Sequence, residues 1–498
     1  MNKFIFVGLS FLFFSCAHVN SDLAHRQIAA ELGPYALMSP QQGDLAFSTL
    51  YGFIANAKTY AYITIYSWSD SGLEAAIQKA IAANPKIKIR AVLDPGLKNS
   101  AKVLNVVPNL EELGVEFKIA PMNMHEKFTI IDDSIVINTS ANFSNGAKTK
   151  YSENMVFHEL SNDSTTNTNL LINDFKNEFV ILWNTAKDIT TNAEKNSEMM
   201  NDVFKSSNIP TKDTDMTLYS SSMNWTLKSN LVTSAQFKQG RYQSLVAKKY
   251  ENLDEQMWTV RDVLIEKINA ATKNIYLSLN HFNIRAVSDA LIAAVKRGVE
   301  VRFTVDAQEY KSRPNDLEMS PQFVADWSKI KGNNSLIPPV RVKYYSHEPN
   351  PSTWLLNHHK FVLIDYGIAN KTLLLSGSYN LSKNAEQNQF DNLILYKTDK
   401  YLTLYKSFYN EFEYLWDLNR VDNKPKQSIL DLFLTAKEGI YPIHINEAVS
   451  MTFPEIADLR TAVGIKAPGI FTGLTKNNAC KGYNPGTKLY TGCPAVKQ

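Results

Sequence analysis

Cysteine is almost missing from this chain: there are three among 498 residues, at positions 16, 480 and 493. Cys480 and Cys493 stand thirteen apart in a tail rich in Gly, Asn and Pro, which offers too few ligands for a metal site. A disulfide closing that loop is the simple expectation in an oxidising compartment. An excess of one charge is missing as well. Lys and Arg number 52 against 49 Asp and Glu, and the resulting +3 is too small to argue for nucleic acid as the partner, although local basic patches stay open. Long apolar runs are missing too: Phe4–Phe14 spans eleven residues, short of a bilayer crossing, and no other segment is long and apolar enough to span. The body of the chain is therefore expected to be soluble. What is present is a globular composition, 44% apolar and 20% charged, over a length that suits two to three domains.

The N-terminus carries an address. Lys3 followed by the apolar stretch Phe4–Phe14 fits the core of an export signal. It runs into Phe13-Phe14-Ser15-Cys16, which resembles a bacterial lipobox with Cys16 as the lipidated first residue; simple cleavage near Ala17 is the alternative. Ala17 after the Cys, where Asp would retain the protein, favours by that resemblance sorting to the outer membrane of a Gram-negative cell. The expectation is an exported protein, lipid-anchored in the cell envelope or otherwise periplasmic or secreted.

Two nine-residue phrases dominate the rest: MHEKFTIID at 124–132 and NHHKFVLID at 357–365, each His-x-Lys followed by an apolar run closing on Asp, 233 residues apart. Their surroundings repeat as well. Tyr60–Tyr66 alternates like a strand, Leu73–Ile81 has helical spacing, and Lys86–Asp94 and Val115–Ala120 alternate again before the first phrase. Asn274–Leu279, Val287–Val295, Val299–Asp306 and Val340–Tyr345 take the same order before the second. Downstream come Thr139-Ser140-Ala141-Asn142 then Glu153, and Gly377-Ser378-Tyr379-Asn380 then Asp391, with eleven residues from Asn to acid in both. Aromatic helices close each half, Phe175/Phe179/Trp183 and Phe408/Phe412/Trp416.

The chain thus reads as an internal duplication of an α/β lobe, with largely parallel sheets packed face to face, the active site between them, and both half-sites in one monomer. The expected organisation is a signal peptide at 1–15, a tether and lead-in at 16–44, lobes at 45–187 and 241–423, a little-structured connector at 188–240, and a C-terminal extension at 424–498.

The repeated residue types suit a phosphodiester. His125 and His358 can attack phosphorus and move a proton. Lys127 and Lys360, two residues on along an extended segment, point to the same side and bring a cation to an anionic group. Ser140, Asn142, Ser378 and Asn380 add neutral donors for the non-bridging oxygens, and Glu153 and Asp391 can accept the second imidazole N–H. An in-line displacement has two ends, which accounts for two copies. No cluster of Asp, Glu and His with metal-ligand spacing accompanies the motifs, so metal-free chemistry without a cofactor is expected, the lysines standing where an ion would. His281, at the end of a strand, is expected to pack, and His347 and His359 to be loop or lining residues. A loop before the second motif, with Trp354, Leu355 and Leu356, is expected to overhang the site, where it could contact acyl chains.

Over roughly residues 45–420 these motifs resemble the phospholipase D superfamily, whose signature is His-x-Lys-x4-Asp followed by Gly-Ser-x-Asn. The first copy departs at Thr139, where Gly is usual, and the second has five extra residues between Asp365 and Gly377. The resemblance implies a covalent phosphohistidine, with His125 as nucleophile and His358 as the acid. It implies that Glu153 and Asp391 orient the histidines and that Asp132 and Asp365 are structural. Three readings follow: a phospholipase D or phosphatidyltransferase acting on glycerophospholipids, held at its substrate by a lipid anchor; an exported nuclease; and an inactive protein that only binds phosphate-bearing ligands. The first is favoured.

Overall fold

A computed structural model describes residues 33–160, 166–189, 214–229, 243–247, 259–310, 319–333, 336, 338–345, 355–434, 447–462, 482–484 and 489–491. Cys16, Cys480, Cys493, His347 and Trp354, and most of the lead-in and connector, lie outside these residues.

The first lobe runs β1 (Tyr35–Ser39), α1 (Gly43–Ala55), β2 (Tyr60–Ile65), α2 (Gly72–Ala83), β3 (Lys88–Leu93), β4 (Glu116–Ile119), β5 (Asn123–Met124), β6 (Phe128–Ile131), β7 (Ile135–Thr139), β8 (Glu153–Glu159), α3 (Thr166–Thr185) and β9 (Lys187–Asp188). The second repeats this plan: β10 (Met216–Ser220), the hairpin β11 (Trp225–Ser229) and β12 (Gln243–Ala247), α4 (Thr259–Ala270), β13 (Asn274–Leu279), α5 (Arg285–Lys296), β14 (Glu300–Asp306), β15 (Val340–Tyr344), β16 (Lys360–Ile364), β17 (Leu373–Gly377), β18 (Gln389–Phe390), β19 (Asn392–Lys397), α6 (Leu402–Trp416) and β20 (Val449–Met451). Each lobe has one eight-stranded sheet, ordered β1-β8-β7-β6-β2-β3-β4-β9 and β10-β19-β17-β16-β13-β14-β15-β20.

The sheets are mixed rather than largely parallel. Only β2–β3–β4 and β13–β14–β15 pair in parallel, and the other five neighbouring pairs of each sheet are antiparallel. The reason is connection length. Parallel neighbours need a crossover of about a dozen residues or more, which α2 and α5 supply. Three residues join β6 to β7, where Asp132 and Asp133 both turn at φ 53°, so only a hairpin can form.

The duplication also extends beyond the boundaries expected from sequence. The lead-in holds β1 and the connector holds β10, matching edge strands that pair with β8 and β19. The C-terminal extension contributes β20 to the second sheet, in the same edge position that β9 takes in the first.

Three apolar cores give five layers. The outer face of the first sheet carries α1 and α2 through Phe47, Leu50, Leu73 and Ile77; the second carries α4 and α5 through Leu264, Ile268, Val287 and Leu291. The sheets do face one another, but across a shared layer that holds α3 and α6. There Phe175, Phe179 and Trp183 meet Phe408 and Phe412 along with residues of both sheets, including Phe128 and Phe361. Each fully buried ring of this kind contributes about 1.5–3 kcal/mol, so the aromatic stripe fixes how the lobes meet.

Candidate active site

The histidines stand just before β6 and β16, at the ends of extended segments where the two lobes are stitched together by backbone. β5 pairs in parallel with β18, setting Met124 beside Phe390, and Ser152 bridges Asn357 in the symmetric position. His358 N donates to Ser152 O at 2.9 Å and Ser152 N to Leu356 O at 2.8 Å. The amides preceding the histidines are anchored too: Met124 N donates to Asp94 Oδ2 at 2.8 Å and Asn357 N to Asp306 Oδ2 at 2.7 Å. Both aspartates close the third strand of their repeat. That shared ending was visible in sequence, and its use was not.

Each histidine is held by the carboxylate of the other lobe. His125 Nδ1 lies 2.7 Å from Asp391 Oδ1, and His358 Nδ1 lies 2.8 and 2.9 Å from the two oxygens of Glu153. With Nδ1 engaged, Nε2 of each ring is the nitrogen left for chemistry. The rings face one another with centroids 6.5 Å apart. Tyr66, which sequence places only at the end of the alternating stretch Tyr60–Tyr66, sets its ring edge-on to His125 at 4.8 Å and lies 4.8 Å from the Lys127 ammonium.

The lysines project to the same side as the histidines and fold back on them, Lys127 Nζ donating to His125 O and Lys360 Nζ to His358 O, both at 2.6 Å. Burial lowers Lys127 to about 8 and Lys360 to about 7, short of full compensation by the nearby carboxylates. Burial, reinforced by both lysines, also holds His125 well below the usual imidazole range; His358 falls to about 4, burial outweighing its attraction to Glu153.

Ser140 and Ser378 meet the carboxylates and their neighbouring backbone. Ser140 Oγ donates to Glu153 Oε2 at 2.6 Å and accepts from Asn154 N at 2.9 Å, while Ser378 Oγ accepts from Asn392 N at 3.0 Å. Asn142 and Asn380 line the cavity, and the carbonyl oxygen of each is buried without a hydrogen bond. Asp132 and Asp365 are clips. Asp132 accepts the amides of Lys58, Thr59 and Tyr60 at 2.7, 2.7 and 3.0 Å, and Asp365 those of Thr272 and Lys273 at 2.9 and 2.6 Å. Losing either would hand amides at exposed turns back to water, at about 0.5–1.5 kcal/mol for each hydrogen bond lost.

The cavity between the histidines has a volume of about 830 Å³. His281, expected to pack, lines it instead, with Nδ1 4.0 Å from Glu309. Leu356 lines it as well, while Leu355 packs on the second lobe's core. His359 is buried behind the site, between Asn154 and Glu411. Among the described residues no helix is long and apolar enough to cross a membrane, and no group of three or more His, Cys, Asp or Glu could hold a metal ion.

Comparison with known proteins follows the same geometry. The family model described as cardiolipin synthase, PLD-like domain matches residues 50–183 and 264–416, more than half of the chain and one stretch in each lobe. The human mitochondrial cardiolipin hydrolase is 26% identical over 155 residues, covering 31% of this chain and half of that protein's length. The crystal structure of phosphatidylserine synthase from Haemophilus influenzae superposes with a TM-score of 0.50 at 14% identity, covering 77% of this chain and 86% of that one, and thus shares the fold. A phospholipase D family member from Salmonella typhimurium matches 31% of this chain and 97% of its own, at 24% identity and a TM-score of 0.26. The matched stretches contain both His-x-Lys motifs and the carboxylates that clamp them, and the chain belongs to the phospholipase D superfamily, a family of enzymes that act on phosphodiesters.

Proposed function

We propose that the protein is a phospholipase D-type phosphodiesterase that hydrolyses glycerophospholipids, or transfers their phosphatidyl group, through a phosphohistidine. The observation that carries this reading is the crossed clamp: two imidazoles, each bound at Nδ1 by the opposite lobe's carboxylate, face a common cavity. His125 Nε2 attacks phosphorus, forming the N–P bond as the bond to the alcohol oxygen breaks. His358 supplies that oxygen with a proton. Water or a second alcohol then attacks phosphorus, His358 takes its proton, and the N–P bond breaks. Lys127 and Lys360 neutralise the non-bridging oxygens with the amides of Asn142 and Asn380. Ser140 acts on this chemistry through Glu153, and Ser378 from beside Asp391. A bound phosphodiester anion favours the imidazolium of His358, countering the burial that depresses it.

The deciding assay offers the full chain phosphatidylcholine, phosphatidylethanolamine, phosphatidylglycerol and plasmid DNA in EDTA, beside His125→Ala. Release of phosphatidic acid or head group by the intact protein alone is expected. DNA cutting without lipid turnover would establish the nuclease reading instead, and loss of all activity in EDTA would overturn metal-free chemistry. The proposal includes an export signal and a lipid at Cys16; radiolabelled fatty acid should enter the protein in cells and be absent from Cys16→Ser.

A further inference from the structure

The walls of the cavity bear on what lies beside the phosphate. Of its 22 described lining residues, seven are Asn and three are Gln, with four Ser and two Tyr. Among them Leu356 is the one aliphatic side chain, Lys383 the one lysine, and Asp, Glu and Arg do not occur.

Each feature rejects a class of substrate group. Acyl chains need an apolar wall, which one leucine does not make, so they must lie outside this cavity. A cationic head group such as choline needs a carboxylate or an open aromatic face. Both carboxylates of the site are spent on histidines, Tyr66 already has the Lys127 ammonium 4.8 Å from its ring centroid, and Tyr151 packs its ring against Gly146 and the apolar cores of both lobes. A carboxylate-bearing head group, or a strand with flanking phosphates, needs several cations, where the lining offers Lys383. Amides do otherwise: each presents donors and an acceptor on one flat group, a match for hydroxyls, which also do both. The second-lobe side, where the departing alcohol meets His358, is the richest in them. Asn280 and Asn380 are 3% and 6% exposed there, and the Asn380 carbonyl oxygen is a buried acceptor without a partner. Gln308 and Gln387 complete the rim.

We infer that the alcohol released from phosphorus is an uncharged polyhydroxy group, such as glycerol, inositol or a sugar, read by this amide-lined wall. The inference rests on the phospholipid reading above. It is tested with full-length protein and phosphatidylglycerol, phosphatidylinositol, phosphatidylcholine and phosphatidylserine, each as a minor component of the same neutral detergent micelles. Phosphatidylserine controls for the charge of the lipid. The two polyol lipids should exceed the others in kcat/KM by about tenfold or more, the worth of roughly one net hydrogen bond. Gln308→Leu and Gln387→Leu should each shrink that ratio severalfold, a readout that a general loss of folded protein does not move. Equal or better turnover of phosphatidylcholine or phosphatidylserine would overturn the inference and leave the phospholipid reading standing. An unchanged ratio in both variants would also overturn it. Cleavage of plasmid DNA with no lipid turned over would sink the phospholipid reading itself.

Discussion

The two half-sites share a plan and differ in charge. Glu153 grips His358 with both oxygens and takes a third contact from Ser140. Burial pushes its carboxyl up, but His358, Lys360 and Ser140 outweigh that and hold it below the usual range. Asp391 meets His125 through Oδ1 alone; its Oδ2 makes no hydrogen bond of normal geometry although Ser378 lies near, and burial raises it to about 8. The His358 side therefore carries a fixed negative charge that favours an imidazolium, and the His125 side does not. A proton donor belongs on the first and a neutral nucleophile on the second. Two copies of one motif have become two different tools.

The largest test of that division is chemical. His125→Ala and His358→Ala should each lower kcat by roughly 10⁴-fold, and the double variant by little more, because the pair acts as one unit. The phosphatidyl group trapped by rapid acid-free quenching of His358→Asn should sit on His125, by mass spectrometry of the peptide. A label on His358 in His125→Asn, with none in the reverse variant, would invert the assignment. The carboxylates come next. Glu153→Gln removes a charge and should cost on the order of 10²-fold in kcat. Asp391→Asn replaces a group already close to neutral below pH 8 and should cost about tenfold, the value of one reoriented hydrogen bond. Equal losses would erase the distinction between the halves.

The lysines give the pH dependence. Each binds a non-bridging oxygen only when protonated, and their pKa values are lowered to about 8 for Lys127 and about 7 for Lys360 in the free site. Activity that requires the protonated form is present below those values and lost above them. His358, which must also be protonated and falls to about 4 in the free site, already sets a decline of kcat/KM with one power of proton concentration, and the lysines should steepen it by up to two more powers as pH rises through 7 to 8. kcat, measured with substrate bound, should fall at higher pH because the phosphate anion raises both groups.

How much of this was legible in the sequence follows from what repeats and what does not. The duplication was readable because chemistry-bearing residues recur in fixed order, from the strand before each motif to Trp183 and Trp416. Strand direction was not, since a short alternating run reads the same whichever way its neighbour points; the brief link from Ile131 to Ile135 decided it. The edge strands Tyr35–Ser39 and Met216–Ser220 lie in stretches that read as lead-in and connector, and only pairing with β8 and β19 makes them part of the sheets. The crossing of the clamps was hidden because Asp391 stands 266 positions from His125 and nothing local says which acid meets which ring. Tyr66 was hidden by its type: an aromatic ending a strand carries no mark of a site.

The smallest expected effect concerns the residue between His and Lys, which the motif treats as arbitrary. In the second half it is His359, bonded to Asn154 and paired with Glu411 at 3.1 Å. In the first it is Glu126, fully buried, with both oxygens lacking a hydrogen bond of normal geometry. Glu178, the counterpart of Glu411, faces it, with Ser222 donating to Glu178 Oε2 at 2.6 Å; Asp391, Asn392 and Lys127 are its other polar neighbours. Burial, then the charges of Glu178 and Asp391, hold the Glu126 carboxyl well above its usual range, which favours its neutral form. Glu126→Gln keeps the shape of the favoured neutral carboxyl and should leave kcat within about threefold at pH 6, the scale of a single neutral hydrogen bond or less. On the alkaline side of the profile the variant should retain the larger share of its own maximum, because it cannot acquire a charge beside Asp391 that would draw a proton onto His125. A pH profile superimposable on that of the parent would show that the carboxyl pair is inert, and that the asymmetry of the half-sites resides in Glu153 and Asp391 alone.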